Sequence, residues 1–485
     1  MNLSPRRPIY NRHTESNVYR MFFWALLVLG GVWLLIQLRT GNIKSPFQPL
    51  PTPTRTSQSY ALEGDAQFTA GQLDAAITAY KQGTQVDPTN AELWANLARI
   101  QTYSSQLLLS DATKNARLQE ALASVTQAES LAPDDSTVHA IRAFVLDWNA
   151  NPSLVGDKQA QDDLLQADQE AILALHLDST NTLALAFYAE ILVDEQKWTQ
   201  AEQEIKQAVD RDPTLMDVHR VYAYVLESLG EYNQAIQEYD KAIAISPNLT
   251  FLYLRAGANY RRLGFASPND AVQQQLFSSS LDYFAKAVAI NKQLGIQDPV
   301  PYLSIAKTYS QEGEYFIAAR NVQVAIEFQP DNADLYGQLG IIYQKSRNYE
   351  GAIPALKCAI KGCTAQESCD GRGGCGKSDV PTQVTGLPLS DSTLVYYYTY
   401  GSIVAALSRP DANNCPDALS VLEEVNTKYG GDSTVAGIVQ SGEAICQSLG
   451  SAGTANGATP TSIPIQSFAT STPYPTANPA TPVVP

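Results

Sequence analysis

The six cysteines are the residues of this chain whose chemistry depends most on their surroundings, and all lie in its last third. An even number of cysteines outside the cytoplasm indicates disulfide bonds, whereas a cytoplasmic location would favour a metal site or free thiols. The first four could hold zinc, but four, five and five residues separate them rather than the two residues typical of structural zinc sites. We therefore expect disulfides and no metal at Cys358, Cys363, Cys369, Cys375, Cys415 and Cys446.

A second chemical signal lies among these cysteines, where residues 371–378 read GRGGCGKS. The stretch matches the phosphate-binding pattern G-x-x-x-x-G-K-[ST]. That chemistry needs a buried strand before the pattern and a helix that begins at its lysine, so that backbone amides face the phosphates. The flanking residues encode neither element. We therefore interpret the match as accidental and predict no nucleotide cofactor.

No other arrangement typical of catalysis is present. G-x-S-x-G and H-E-x-x-H are missing from the sequence, and no dinucleotide-binding fingerprint is encoded, because that fingerprint needs a strand before its glycines and a helix after them. Histidine is scarce, with four residues in the whole chain. His139 and His219 fall at matching positions of two repeated segments, which favours helix packing over metal ligation. The sequence predicts a protein without catalytic residues, cofactors or a metal.

The charge balance bears on the class of partner. The chain carries a net charge of −16, and its isoelectric point is near 4.7. Such an acidic surface repels nucleic-acid backbones, so we expect no nucleic-acid partner.

An apolar run near the N-terminus predicts a membrane anchor. Residues 21–38, MFFWALLVLGGVWLLIQL, carry no charge and are long enough for a short transmembrane helix. No small-x-small cleavage site follows, which favours an uncleaved anchor over a signal peptide. Four arginines and one acid precede the run within residues 1–20. We therefore expect a cytoplasmic N-terminus, contact with the lipid bilayer through 21–38, and the rest of the chain outside.

Two further segments have the composition of chains that do not fold. Residues 39–56 are rich in proline, threonine and serine and are predicted to form a linker. Residues 451–485 carry no charge and are rich in the same residues and alanine, which predicts a disordered tail.

The rest of the chain repeats a helical pattern that is clearest in residues 216–248. Apolar residues recur at helical spacing in two stretches, which Gly230 separates and Pro247 ends. Small residues at Ala223 and Ala235 would let the two helices approach closely. This unit resembles the tetratricopeptide repeat, a helix–turn–helix of about 34 residues. The resemblance implies an all-α solenoid in which each helix pair stacks on the next.

The period predicts about nine units. Eight cover residues 57–360, a Cys/Gly-rich insertion follows at 361–392, and a weaker ninth unit with a capping helix covers 393–450. Insertions interrupt the second, third and sixth units, the last through the residues ASPNDAVQQQ. In the ninth unit, Cys415 precedes the second helix and Cys446 lies near the end of the capping helix. If those helices are antiparallel, the two cysteines form a disulfide, while the other four have three open connectivities.

Proteins that resemble the tetratricopeptide family usually bind peptides or proteins on the concave face, which the first helix of each pair lines. Basic and aromatic residues on that face would recognise an acidic or extended segment. The alternative is that they are ordinary helix charges paired with acids on adjoining helices. The residues concerned are Arg99, Arg220, Tyr224, Arg255, Asn259, Arg262 and Lys307.

These observations predict a membrane-tethered scaffold that holds a protein or peptide partner in the cell envelope. The alternative is a structural component whose repeats self-associate into a surface layer or filament.

Overall fold

The computed structural model describes residues 17–40, 55–108, 110–376 and 380–452, and the chain divides into two compact units, residues 1–55 and 56–485. Most of the predicted N-terminal segment and linker, and nearly all of the predicted tail, lie outside the described residues. The described ranges are almost entirely helical and contain no β-strand, only two isolated bridges. The predicted all-α class is confirmed.

The first compact unit contains helix α1, Val18–Arg39. Its 22 residues span about 33 Å at 1.5 Å per residue, close to the thickness of a bilayer core. Within it, Val18–Gln37 has a mean hydropathy of 1.8, and none of that stretch is buried. Length and composition of this kind suit either a membrane span or a signal sequence.

The described residues of the second compact unit form a solenoid of nine helix pairs, as predicted, closed by a final helix. The short helix α7 interrupts the third pair, and the short helix α19 follows the eighth. In chain order the helices are α2 Ser57–Thr69, α3 Leu73–Val86, α4 Ala91–Ser104, α5 Asp111–Leu131, α6 Ser136–Asn149, α7 Pro152–Val155, α8 Asp157–Leu177, α9 Thr182–Asp194, α10 Trp198–Arg211, α11 Met216–Ser228, α12 Tyr232–Ile245, α13 Thr250–Ala266, α14 Asp270–Leu294, α15 Val300–Glu312, α16 Tyr315–Phe328, α17 Ala333–Lys345, α18 Tyr349–Lys361, α19 Ala365–Gly371, α20 Leu394–Leu407, α21 Cys415–Tyr429 and α22 Ser433–Ala452.

The predicted insertions lengthen helices more than they interrupt them. The sequence DAVQQQ, expected to break the sixth unit, is the first part of α14, which the Asn269 side chain caps. That helix has 25 residues, and α5 and α8 have 21 each, against 14 in most other second helices. The physical reason is that a capping residue followed by good helix formers starts a helix wherever it lies in the repeat.

One hydrogen bond recurs where one pair joins the next. The side chain six residues after the proline of the turn bonds to the carbonyl oxygen of that proline, which fixes the entry into the following first helix. Two of these side chains are histidines, and both of their ring nitrogens form contacts. The ring nitrogen that does not bond to the proline carbonyl contacts a glutamate on the second helix of the same pair. The bonds are Trp94 to Pro88 (3.1 Å), His139 to Pro133 (2.7 Å), His219 to Pro213 (2.8 Å), Tyr253 to Pro247 (2.8 Å) and Tyr336 to Pro330 (3.0 Å).

Small residues set the spacing within pairs, as their positions in the sequence suggest. A Cβ atom at Gly340 of α17 would lie 2.5 Å from the Leu356 side chain of α18, so glycine is required for that approach. On the second helices of other pairs, Ala76, Ala201 and Ala235 are fully buried.

The first six units curve so tightly that distant first helices touch. The Tyr103 ring of α4 stacks on Phe251 of α13, with ring centroids 5.4 Å apart. At the edge of the array, the turn at Gly71 lies against the backbone of Asn248. We call this part, residues 57–294, the closed turn. Its inner face is therefore largely filled by its own side chains.

Candidate functional site on the first helices

All seven residues predicted for the concave face lie on first helices, namely α4, α11, α13 and α15. Arg99 of α4 forms an ion pair with the buried Asp217 of α11, and the Tyr103 hydroxyl donates to the same carboxylate at 2.5 Å. The Arg99 guanidinium also lies over the Phe68 ring. Two residues 118 positions apart in the sequence thus neutralise each other at the centre of the closed turn.

Arg220 is likewise paired with buried groups in the interior of the closed turn. Its guanidinium makes a bidentate contact with Glu190 of α9, at 2.7 and 2.6 Å, and its Nε donates to the Tyr103 hydroxyl at 3.1 Å. The Trp148 indole donates to the same carboxylate at 3.1 Å. Both charged side chains are more than nine-tenths buried. Planar bidentate pairing of this kind compensates charge that water no longer solvates.

A third buried carboxylate, Glu227 of α11, contacts most of the other residues predicted for the concave face. It accepts a hydrogen bond from Asn259 at 3.0 Å, pairs with Arg262, and lies 3.6 Å from Arg255. Although burial opposes ionisation, the two arginines hold the pKa of Glu227 below its usual value. These residues are thus organised around an internal acid, in agreement with the alternative that they are helix charges paired with acids on adjoining helices.

Tyr224 also has an internal partner. Its hydroxyl donates to Asp194 of α9 at 2.5 Å, and the Arg255 guanidinium lies over its ring. Burial and the charge of Asp194 raise the pKa of Asp147 on α6 well above its usual range. Sequence reasoning missed both aspartates because four different units, the third to the sixth, contribute to this cluster.

Lys307 is the exception among the seven. Its side chain is exposed, and it forms no ion pair or hydrogen bond with any residue that the structure describes. Desolvation by the surrounding repeats, together with Arg261, Arg262 and Lys345, lowers the pKa of Lys307 to about 8. Residues from α13, α15 and α17 therefore concentrate positive charge at one place.

Arg261 strengthens this concentration and was missed from the sequence. Only 6% of it is exposed; its guanidinium donates to the Ser304 carbonyl at 3.2 Å and lies over the Phe284 ring. Burial and the neighbouring Arg262 lower its pKa to about 10. We call Arg261, Arg262, Lys307 and Lys345 the cationic cluster.

The cysteines form three disulfides, Cys358–Cys363, Cys369–Cys375 and Cys415–Cys446. The last is the pair expected from the antiparallel arrangement of α21 and α22, and the first two are one of the three connectivities that the sequence leaves open. Together they attach the Cys/Gly-rich insertion to α18 and the final helix to the ninth pair.

The phosphate-binding pattern does not have the structural context that its chemistry needs. Gly371 ends α19, so a short helix rather than a strand leads into the pattern. The pattern's Lys377 and Ser378 lie outside the described residues. Arg372, within the pattern, donates to the Val380 carbonyl at 3.2 Å and lies 3.0 Å from the Cys375 sulfur, so it packs the disulfide loop.

One group of potential metal ligands can be tested in the same way. Atoms of Glu129, His139 and Glu170 lie within 4.8 Å of one another. Arg142 forms ion pairs with both glutamates, at 2.8 and 3.0 Å, and the second ring nitrogen of His139 bonds to a backbone carbonyl. The carboxylates are therefore already neutralised by a guanidinium, and we assign no metal to them.

Stacked helix pairs of this length, with small residues at their contacts and prolines at their ends, define a helical-repeat solenoid. Two family models match the sequence: one described as TPR repeat over residues 64–101, and one described as tetratricopeptide repeat over residues 183–250. These two segments thus match tetratricopeptide-repeat models, and repeats of that family typically build non-catalytic scaffolds for protein–protein interaction. No curated protein matches the sequence.

Three solved structures are similar to this chain at low sequence identity. The human IFIT1 dimer with PPP-AAAA is 15% identical, with a TM-score of 0.51 over 82% of this chain and 92% of that one. A thermophilic TPR protein of Thermus thermophilus is 18% identical, with a TM-score of 0.35 over 42% of this chain and 98% of that one. A tetratricopeptide repeat protein from Parabacteroides merdae is 16% identical, with a TM-score of 0.34 over 59% and 98%.

Proposed function

We propose that this protein is a membrane-tethered scaffold whose later repeats hold an extended, acidic segment of another envelope protein. Helix α1 is the anchor, and the cationic cluster on α13, α15 and α17 is the recognition surface. The repeats act by non-covalent binding and carry out no chemistry.

The observation that carries the proposal is the contrast between two groups of basic residues. In the closed turn, Arg99 and Arg220 are neutralised by buried carboxylates. In the cationic cluster, Lys307 and Arg261 have no carboxylate partner among the described residues, although the whole chain carries a charge of −16. Arg262 of the same cluster pairs with Glu227, so it is Lys307 and Arg261 that lack a carboxylate. Crowded positive charge lowers the pKa of a lysine, and an anionic ligand relieves that cost.

A protein segment suits this surface better than a nucleic acid. The solved human IFIT1 dimer is in complex with PPP-AAAA, so this fold can accommodate a phosphate-bearing ligand. Here the cationic cluster is small and the remaining surface is acidic, which disfavours the long-range attraction that nucleic-acid backbones require. A short run of Asp and Glu needs only a local site.

The anchor and its orientation have separate support. Helix α1 has the length and hydropathy of a membrane span, with Arg20 and Arg39 near its ends. The three disulfides suit an oxidising compartment outside the cytoplasm. Self-association through the end faces receives less support, because the outward side of α22 carries polar residues such as Gln440 and Ser441, which is typical of a cap.

The binding surface can be tested with a fluorescein-labelled peptide of Glu and Ser, titrated with the full chain in detergent and followed by fluorescence anisotropy. Replacing Lys307 with alanine should weaken binding about tenfold, or about 1.4 kcal/mol. The matched control is Arg320→Ala, which removes an exposed cation from the second helix α16 and should leave affinity unchanged. Equal affinities for the two variants, or selective binding of single-stranded oligoadenylate instead of the peptide, would contradict the proposal.

Orientation needs its own experiment. In intact cells, free thiols are blocked with an alkylating reagent, and the protein is then reduced, labelled again and mapped by mass spectrometry. Cys415 and Cys446 should acquire the second label only after reduction. If all six cysteines take the first label, the repeats lie in the cytoplasm.

A further inference from the structure

One of the three disulfides has a buried cation beside it. Arg372 is 5% exposed, and its Nη2 atom lies 3.0 Å from the Cys375 sulfur and 4.0 Å from the Cys369 sulfur. The same nitrogen donates to the Val380 carbonyl oxygen at 3.2 Å, whereas Nε has no hydrogen-bond partner in the described part of the chain. No carboxylate among the described residues pairs with Arg372, so a buried positive charge lies against a neutral disulfide.

The other two disulfides lack this arrangement. The sulfurs of Cys358–Cys363 and Cys415–Cys446 accept no hydrogen bond from a basic side chain among the described residues. Their four cysteines are between 1% and 8% exposed, so an external thiol reaches them only after the surrounding helices open. Cys375, by contrast, is partly exposed and can be attacked in the folded protein.

The backbone of Arg372 is held in place by bonds that do not involve the disulfide. The Gln323 side chain of α16 donates to the Arg372 carbonyl oxygen at 2.7 Å. The Gly374 amide donates to the Cys369 carbonyl oxygen at 2.7 Å, in a turn where Gly373 and Gly374 have the positive φ angles that glycine adopts readily. These contacts keep the guanidinium near both sulfurs when the bond between them breaks.

Reduction of this disulfide would give the buried cation an anionic partner. A buried charge without a counter-charge is costly, and a disulfide carries no charge to offset it. Reduction produces two thiols, and a neighbouring guanidinium stabilises their thiolate form. A group that stabilises the reduced form makes a disulfide easier to reduce. Arg372 therefore favours the dithiol form of Cys369 and Cys375.

We propose that Cys369–Cys375 is a thiol–disulfide exchange site at which an external dithiol reduces the protein, and that Arg372 stabilises the thiolate that leaves. A thiolate of the dithiol attacks the partly exposed Cys375 sulfur, the S–S bond of the protein breaks, and its electron pair goes to Cys369. The second thiolate of the reductant then attacks the external sulfur of this mixed disulfide and releases Cys375. The reductant is thereby oxidised to a disulfide, and its two protons balance the two thiols formed in the protein.

The test uses the full chain in detergent, incubated with mixtures of reduced and oxidised dithiothreitol, quenched by alkylation and mapped by mass spectrometry. Cys369 and Cys375 should become alkylated at least about tenfold faster than Cys415 and Cys446, and at less reducing ratios. This comparison within the wild-type protein needs no variant. If Cys369–Cys375 is reduced no faster than Cys415–Cys446, the exchange site is refuted.

Variants separate the charge of Arg372 from its packing. Arg372→Gln should lower the equilibrium constant for reduction of Cys369–Cys375 about tenfold, equivalent to about 30 mV, and Arg372→Lys, which keeps a positive charge, should restore most of it. The matched control is Thr382→Val, because the Thr382 hydroxyl donates to the same Val380 carbonyl oxygen at 3.0 Å but carries no charge. This control should keep the wild-type equilibrium constant. Equal shifts in Arg372→Gln and Thr382→Val would assign Arg372 to loop packing alone and overturn the proposal.

Discussion

Removing one half of the Arg220–Glu190 pair gives the most direct measure of what holds the closed turn together. Arg220→Met preserves most of the side-chain volume but leaves Glu190 buried, with Trp148 as its remaining hydrogen-bond donor. An uncompensated buried carboxylate costs about 3–5 kcal/mol. We therefore expect the variant to lose about that much local stability.

The companion double variant separates the charge from the packing. Adding Glu190→Leu removes the orphaned carboxylate, and the remaining cost is the unpaired Trp148 indole, about 1–3 kcal/mol. The double variant should thus be more stable than Arg220→Met by about 2 kcal/mol. This recovery distinguishes a buried ion pair from a contact that merely fills space.

Native-state hydrogen exchange of α9 and α11 is the suitable assay, because a solenoid need not unfold in a single step. The control is Lys206→Met, which breaks the exposed Lys206–Glu202 pair of α10 and should cost less than about 1 kcal/mol. If Arg220→Met costs no more than this control, the closed turn is not held by the buried network, and our reasoning fails.

Three further changes test other parts of the array. Gly340→Val should lower the melting temperature and cost about 1–3 kcal/mol of stability, because even a Cβ atom there would lie 2.5 Å from a side chain of α18. An unchanged melting curve would show that the two helices do not need glycine to approach this closely. Replacing both Cys415 and Cys446 with serine should cost about 3–4 kcal/mol and expose α22 to protease, whereas equal protease resistance would count against the cap. Burial opposes protonation of His139, but a proline carbonyl and Glu170 raise its pKa. The stability contributed by protonated His139 is therefore complete at acidic pH and is lost as the pH rises through the raised pKa. His139→Tyr should remove this contribution and flatten the profile of unfolding free energy against pH.

The local features of the fold follow from the sequence. Helical spacing and the turn at Gly230 predict the pairs, because each pair depends on residues within one repeat. The Cys415–Cys446 pairing follows for the same reason, since two adjacent helices determine it. The start of α14 at Asp270 was missed, because the period alone treats any added residues as an interruption.

The composition of the site could be predicted only in part. Arg99 and Asp217 lie 118 positions apart, and their pairing depends on a curvature to which every intervening contact contributes. Nothing local indicates that Arg99 is neutralised and Lys307 is not. One signal was available for Lys345, which occupies the same position in α17 as Arg262 does in α13.

The contact between Tyr103 and Phe251 also bears on how the protein is made. A simple repeat array can fold progressively, because each unit needs only its neighbour. Here Tyr103 of the second unit cannot make its contact until Phe251, 148 positions later in the sequence, has left the ribosome. Contacts so distant in sequence slow folding. During that interval the aromatic inner face is uncovered and open to premature association. Biogenesis of the closed turn is therefore a step at which a chaperone would have most effect.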